Sequence, residues 1–370
     1  MGKGIVIYPV FVPMVGCPHQ CVFCNQRAIT GKSVSNLLVD IESQIKANMD
    51  TALIRNGIKE IAFFGGSFTC LSIELQNTIL KLAHPYLESG FINGIRISTR
   101  PDYLSKEVID NLHNKKVTTI ELGIQSTNSH VLNASERGYT YEDIQPALQD
   151  LKGYDFNIGL QMMAGLPYDT RLKSIRTALD FVRMGPDFVR IYPTLVVKGA
   201  PLEESFLEGQ YKPLSLDDAV EWVRDIRIIF EANDIDVIRT GLQSQEGFDQ
   251  GQDLVAGPYH PAFGEMVESS IYGLWMKKII RSLVHERDGG SHKDIIFQVH
   301  PNRLSQVMGN RKSNILDIHR GFGNYRISIY QDESVDKRDI ELLIDESWVS
   351  YNRKSFISEE YKGILKEMEN

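Results

Sequence analysis

The chain has 370 residues, 42% of them apolar and 24% charged, with a formal net charge of −8. No run of about 18 apolar residues occurs, which excludes a membrane-spanning helix, and the acidic balance argues against a wholly basic nucleic-acid binder. The length calls for about two or three domains, although one α/β barrel can take roughly 200–250 residues.

The N-terminal stretch Met1-Gly2-Lys3-Gly4-Ile5-Val6-Ile7-Tyr8-Pro9 reads as a strand rather than a signal sequence. Six short apolar strands are predicted at Ile5–Val12, Ile58–Phe64, Gly94–Ser98, Thr119–Ile124, Asn157–Met163 and Phe188–Tyr192. Helical patterns at Leu38–Asn56, Ile73–Glu88, Lys106–Asn114, Tyr141–Lys152 and Arg171–Met184 alternate with them. Strand then helix, repeated, predicts a parallel sheet covered by helices. Right-handed crossovers would curl that sheet into a partial or full barrel. Chemistry in such folds sits at the C-terminal strand ends, so candidate residues are sought after each strand.

After the first strand comes Cys17-Pro18-His19-Gln20-Cys21-Val22-Phe23-Cys24, which holds three of the four cysteines. The spacing is C-x3-C-x2-C, with an aromatic residue before the last cysteine. Cysteines clustered this way point to a metal centre in a reducing cytoplasm, not to a disulfide framework. Iron–sulfur cubes normally use four thiolates, so Cys17, Cys21 and Cys24 would leave one iron open to a small molecule. A zinc site of Cys17, His19, Cys21 and Cys24 is the alternative. Cys70 reads as a structural cysteine.

The second strand is followed by Gly65-Gly66-Ser67-Phe68-Thr69, where two glycines let backbone amides approach a ligand; an ordinary tight turn would look the same. The third ends in Ser98-Thr99-Arg100-Pro101-Asp102. Arg100 could fork a carboxylate there, or pair with Asp102 at the surface. The fourth carries Glu121-Leu122-Gly123-Ile124-Gln125-Ser126. Alternation places Glu121, Gly123 and Gln125 on one face, and burying Glu and Gln without partners costs several kcal/mol. The fifth ends in Met163-Ala164-Gly165-Leu166-Pro167. The sixth ends in Arg190-Ile191-Tyr192-Pro193-Thr194, with Arg190 and Tyr192 pointing inward together.

The cysteine spacing with its aromatic resembles the radical S-adenosylmethionine (SAM) superfamily. The order CPHQCVFC, GGSFT, STRPD, ELGIQS, MMAGLP, RIYPTLVVKGAPLE is similar to the branch of the Elongator catalytic subunit, a tRNA uridine-modifying enzyme. The likeness continues through Arg239-Thr240-Gly241-Leu242-Gln243 and Gly257-Pro258-Tyr259-His260-Pro261-Ala262-Phe263-Gly264-Glu265. It implies a [4Fe-4S] cluster on Cys17, Cys21 and Cys24, with SAM chelating the open iron. One electron would cleave SAM to methionine and a 5′-deoxyadenosyl radical. It implies an electron donor of flavodoxin or ferredoxin type. Gly65, Gly66, Ser67 and the Phe23 backbone would hold SAM, with Arg100, Glu121, Gln125, Ser126, Met163 and Arg190 as further cofactor-binding candidates. Ser67 stands where the family often has Glu. A ribose would satisfy Glu121 and Gln125. The acetyltransferase domain of the Elongator subunit has no counterpart in the roughly 100 residues that remain, so the chain resembles short, stand-alone bacterial relatives.

The last part changes character. From Trp275 to Tyr330 there are ten Lys and Arg against four Asp and Glu, a net of +6, which leaves −14 elsewhere. A helix at Glu265–Leu283, a strand at Ile295–Val299, helices at Pro301–Met308 and Ser313–Arg320, and a strand at Tyr325–Tyr330 are predicted. Strand, helix, basic loop, helix, strand resembles the core of a KH domain, whose GXXG loop clamps a nucleic-acid backbone. Gly309, Asn310, Arg311 and Lys312 form that loop here, with Lys312 in place of the second glycine. A generic lid over the barrel mouth is the alternative.

The expected class is therefore α/β: a barrel at 1–245, a linking segment and helix at 246–285, and a KH-like module at 286–370. The expected activity is radical SAM chemistry on RNA, most simply tRNA. The same chemistry on a small molecule or peptide, with the module as lid, is the alternative, and a non-enzymatic zinc RNA-binding protein is a third reading.

Overall fold

Strand and helix alternate along the first half as the apolar spacing requires. The computed structural model describes residues 5–13, 17–25, 34–52, 57–242, 246–286, 294–323, 325–344 and 346–369. The first elements are β1 (Ile5–Val12), α1 (Val34–Ala52), β2 (Ile58–Gly65), α2 (Ile73–Glu88), β3 (Gly94–Thr99), α3 (Lys106–Asn114) and β4 (Val117–Gln125). Next come α4 (Ser129–Ala134), α5 (Tyr141–Leu151), β5 (Asn157–Ala164), α6 (Arg171–Met184), β6 (Phe188–Pro193), β7 (Val196–Val197) and α7 (Pro201–Leu207). They are followed by α8 (Leu216–Ala232), β8 (Asp236–Thr240), α9 (Glu246–Asp249), β9 (Leu254–Ala256) and α10 (Phe263–Glu286). The chain closes with β10 (Asp294–Val299), α11 (Leu304–Met308), α12 (Ser313–Gly321), β11 (Arg326–Gln331), β12 (Ile340–Ile344), β13 (Ser347–Tyr351) and α13 (Arg353–Glu369).

Contacts divide the chain into two compact units, Met1–Pro213 with Gln245–Gly257, and Leu214–Ser244 with Pro258–Asn370. One change of unit, between Ser244 and Gln245, lies one residue from the expected break at 245/246; others fall at Pro213/Leu214 and Gly257/Pro258.

In the first unit β1 to β6 pair in sequence order, all parallel. Among the described residues no strand pairs with the outer edge of β1, so the barrel is partial. The helices start where the sequence caps them: Ser72 accepts from the amide of Leu75, Ser105 from Val108, and Thr140 with Asp143 forms a capping box. One face of the sheet is apolar, with Ile61, Phe63, Ile95, Ile97, Ile120, Leu122, Leu160, Val189 and Ile191 buried. The register lines up the other face as Phe64, Arg96, Ser98, Thr119, Glu121, Gly123, Gln161, Arg190 and Tyr192. Gly159 belongs to that face, and a Cβ there would lie 2.2 Å from the Phe188 ring.

The second unit has a four-stranded mixed sheet in the order β11-β10-β12-β13, with β10 parallel to β11 and antiparallel to β12. Pro301–Arg303 is a 3-10 turn and only Leu304–Met308 is α-helical, so the single helix expected at Pro301–Met308 is two short pieces. Asn314 is buried and donates to the carbonyls of Ser269 (2.8 Å) and Val307 (3.0 Å), which fixes α12 against α10 and α11. Arg353 at the start of α13 clasps α8 and α10. It donates to Glu231 at 2.7 and 2.9 Å and pairs with Glu268 at 2.7 Å. No helix among the described residues is long and apolar enough to cross a membrane.

Candidate cluster and cofactor site

The cysteine loop follows β1 without regular structure, and its turns come from backbone bonds: the Cys24 amide donates to the Cys21 carbonyl at 3.0 Å. Cys21 is buried, while Cys17 and Cys24 are half-buried. Among the described residues no three His, Cys, Asp or Glu side chains are gathered within reach of one metal ion. His19, the fourth ligand of the zinc alternative, is engaged elsewhere: its Nε2 lies 3.2 Å from the Tyr103 hydroxyl and 3.7 Å from Asp102.

Two guanidiniums converge on Cys21. Arg137 Nη1 donates to Cys21 Sγ at 3.1 Å and Arg100 Nη1 at 3.4 Å. Arg100 also forks Asp102, through Nε at 2.9 Å and Nη2 at 2.8 Å. Its carboxylate partner is thus built in: the Asp102 pairing given above as the alternative, here part-buried rather than at the surface. Arg137 was not anticipated. It follows α4 rather than a strand, so the strand-end rule passes over it. The neighbouring Gly138 adopts φ +74°, and a Cβ there would lie 2.9 Å from the His19 ring. That close approach is the one local sign that the Arg137-Gly138-Tyr139 turn walls the cysteine loop.

At the end of β2, Gly65 has φ +114° and a Cβ would lie 2.6 Å from the Val12 carbonyl oxygen and from the Phe11 ring. A side chain is therefore excluded, and the Gly66 amide donates to the same carbonyl at 2.9 Å. The Ser67 hydroxyl is held by Thr99 Oγ1 (2.9 Å) and the Arg100 amide (3.0 Å). It splices the β2 and β3 ends and is not aimed outward. Cys70 closes the 3-10 turn Phe68–Cys70, and its thiol reaches Cys17. That contact first, and burial second, push the Cys70 thiol up.

Glu121 is fully buried. Its carboxylate takes Arg96 Nη1 at 2.5 Å, Arg190 Nη2 at 2.7 Å and Gln161 Nε2 at 2.7 Å. Arg96 in turn bonds Glu60 at 2.7 Å through Nε, and Thr119 donates to Glu60 at 3.0 Å. Two Glu and two Arg therefore neutralise one another across β2 to β6. This corrects the expectation that a ribose supplies the partner of Glu121: the protein supplies three. Arg190 stacks over Phe64 at 5.1 Å, and its Nε is buried with no partner.

Gln125 breaks the expected alternation. Its φ is +73° and the β4–β5 register shifts between Gly123 and Gln125. A non-glycine residue in that region is strained, and such strain collects at functional sites. Its Oε1 is buried and has no partner. The shift turns Ser126 toward α6, where its hydroxyl meets Thr177 at 3.3 Å and accepts from the Asn128 amide at 3.1 Å. Ser126 is thus engaged by α6 and by the turn into α4. Met163 shares the Tyr192 row and is half-buried. Phe23 packs beside Val22, Val196, Leu202 and Tyr211.

The family model of the radical SAM superfamily matches residues 11–182, and that of the Radical_SAM C-terminal domain matches 186–272. The chain belongs to the radical SAM superfamily. Enzymes of this family use a [4Fe-4S] cluster and SAM. An uncharacterized protein of Methanocaldococcus jannaschii is 31% identical over 223 residues, which are 57% of this chain and 68% of that one. A tRNA uridine(34) acetyltransferase of Methanocaldococcus infernus is 28% identical over 284 residues, 61% of this chain and 52% of that one. The chain thus spans about half the length of that acetyltransferase. The archaeal M. infernus Elp3 structure with an N-terminal deletion superposes with TM-score 0.55 at 17% identity, over 100% of this chain and 91% of that one. At that identity the superposition speaks for the fold.

The residues present fit the family's cofactors on their chemistry. The loop offers three soft thiols, two buried donors already face the Cys21 sulfur, and an orphaned amide oxygen stands on Gln125 at the end of β4.

Proposed function

We propose that this radical SAM enzyme acts on RNA, most simply tRNA. In this reading Cys17, Cys21 and Cys24 hold the cluster. The Gly65-Gly66 backbone, the Phe23 backbone, Gln125, Met163 and Arg190 hold SAM. When bound, the cluster supplies the one electron that opens a carbon–sulfur bond of SAM. The chain's own part is to bind, to orient and to keep water out. The buried Glu60–Arg96–Glu121–Arg190 network gives a rigid floor. Gln125 and Arg190 carry the unpartnered polar atoms that a nucleoside and an amino-acid group would satisfy. No side chain is assigned as a general acid or base. The electron donor is a small flavodoxin- or ferredoxin-type protein, and the compartment is the cytoplasm.

The RNA assignment rests on one observation in the second unit. Arg311 and Lys312 are both exposed and both adopt left-handed φ, +50° and +64°, directly after Asn310, which follows Gly309 at +79°. Two adjacent non-glycine residues held there are strained. They precede the first turn of α12, where backbone amides and the helix dipole favour phosphate. The relatives named as tRNA uridine(34) acetyltransferases supply the substrate class.

The test is tRNA binding at several salt concentrations, with wild type and an Arg311→Glu/Lys312→Glu double variant. Binding should weaken at every salt concentration, and the slope of log K against log salt should shrink by about 2. Undiminished binding with an unchanged slope removes this loop from the RNA site and favours a small-molecule or peptide substrate.

A further inference from the structure

We infer that Arg137, assisted by Arg100, sets the reduction potential of the cluster through Cys21. This rests on the reading of Cys21 as a cluster ligand. Both arginines and Cys21 are each about 4% exposed. Both guanidiniums donate N–H to the same sulfur, at 3.1 and 3.4 Å. Their charges are not equivalent. Arg100 is matched by the Asp102 carboxylate. Arg137 pairs with no carboxylate among the described residues. Its other partners are the Tyr139 hydroxyl, at 2.9 and 3.2 Å, and the Gly123 carbonyl.

A buried cation without a counter-charge is costly. Thiolate sulfur bound to iron is the anion this site can supply. One-electron reduction makes such a cluster more negative by one charge, so a fixed cation and two N–H donors at a ligand sulfur favour the reduced state. Hydrogen bonds to sulfur, net charge and solvent exposure are the levers that set iron–sulfur potentials, and all three meet at Cys21.

The same guanidinium also reaches the end of β4. Arg137 Nη2 donates to the Gly123 carbonyl, two residues before Gln125. Tyr139 donates to the Gly123 and Ile124 carbonyls at 3.1 and 3.0 Å, and the Val22 amide donates to the Ser135 carbonyl at 3.3 Å. Arg137 is therefore a positioning residue that ties the cysteine loop to the strand end where Gln125 waits for a partner.

The experiment is a redox titration followed by electron paramagnetic resonance on anaerobically reconstituted full-length protein. Wild type is compared with Arg137→Met, Arg137→Lys and Arg100→Met. At a fixed potential the ratio of reduced to oxidised cluster should fall at least tenfold in Arg137→Met, which for a one-electron couple corresponds to about 59 mV. Arg137→Lys restores the charge and should recover most of the ratio, which a merely structural role would not do. Arg100→Met should lower the ratio as well, because it removes a donor from the Cys21 sulfur and leaves the Asp102 carboxylate uncompensated beside it. Arg100→Met also keeps the idea testable if Arg137→Met does not fold. Ratios within twofold of wild type in the loaded variants overturn the inference and leave the cluster assignment standing. Wild type that takes up no cluster removes both.

Discussion

Glu121→Gln separates a structural carboxylate from a ligand-binding one. The substitution keeps the side-chain shape and removes the charge at a fully buried site. In the folded protein that charge answers Arg96 at 2.5 Å and Arg190 at 2.7 Å, and accepts from Gln161 at 2.7 Å. Arg96 keeps Glu60 as a second carboxylate. Arg190, whose side chain is 11% exposed, has no other carboxylate among the described residues. One buried guanidinium is thus left without its counter-charge. Removing one partner of a buried pair costs about 3–5 kcal/mol. For a unit of this size each kcal/mol is worth roughly 2–4 °C in Tm, so the melting temperature should drop by about 6–20 °C. The assay is calorimetry of cluster-free protein, with SAM binding measured on loaded protein. Adding Arg190→Met should recover part of the loss, because it removes the stranded cation. A melting temperature within about 2 °C of wild type, together with lost SAM affinity, would refute the reasoning and make Glu121 a cofactor contact.

The cysteines divide by role: Cys17→Ser, Cys21→Ser and Cys24→Ser should each empty the cluster, whereas Cys70→Ser should retain about four irons per chain, read by iron analysis and visible absorbance. The second unit should show acid sensitivity through Glu231. Burial alone would raise its carboxyl, but the hydrogen bonds and charge of Arg353, with Arg227 and Arg338, outweigh burial and hold it below its ordinary value. A depressed folded-state value means stability that is complete above the unfolded value, about pH 4.3, and lost as pH falls through the folded one. Arg353→Met should cost about 3 kcal/mol at neutral pH and flatten the acid limb, measured as urea midpoints at pH 7 and at about pH 3, below the unfolded value. A variant with an unchanged acid limb would show that the Arg353 pair does not govern it.

Arg137, the least anticipated part of the site, shows where reading by strand ends stops. It reaches Cys21 across 116 positions of sequence. Arg353 reaches Glu231 across 122. Neither pairing has a local pattern, because a long cationic side chain looks the same whether it faces water or a buried sulfur. Ser126 and Gln125 show a second limit. Period-two alternation assumes a regular strand, and a single left-handed residue reversed the faces after Gly123.

The sequence by itself determined the strand–helix alternation, the parallel order and the thiol triad, since each depends on spacing between near neighbours and on the side-chain periods of strand and helix. The neutral Glu–Arg network, the filled fork of Arg100, and the two donors on Cys21 were decided by tertiary structure alone. Charges in a low-dielectric interior must find opposite charges or donors within a few ångströms, and which residues come that close is set by register between strands far apart in the chain.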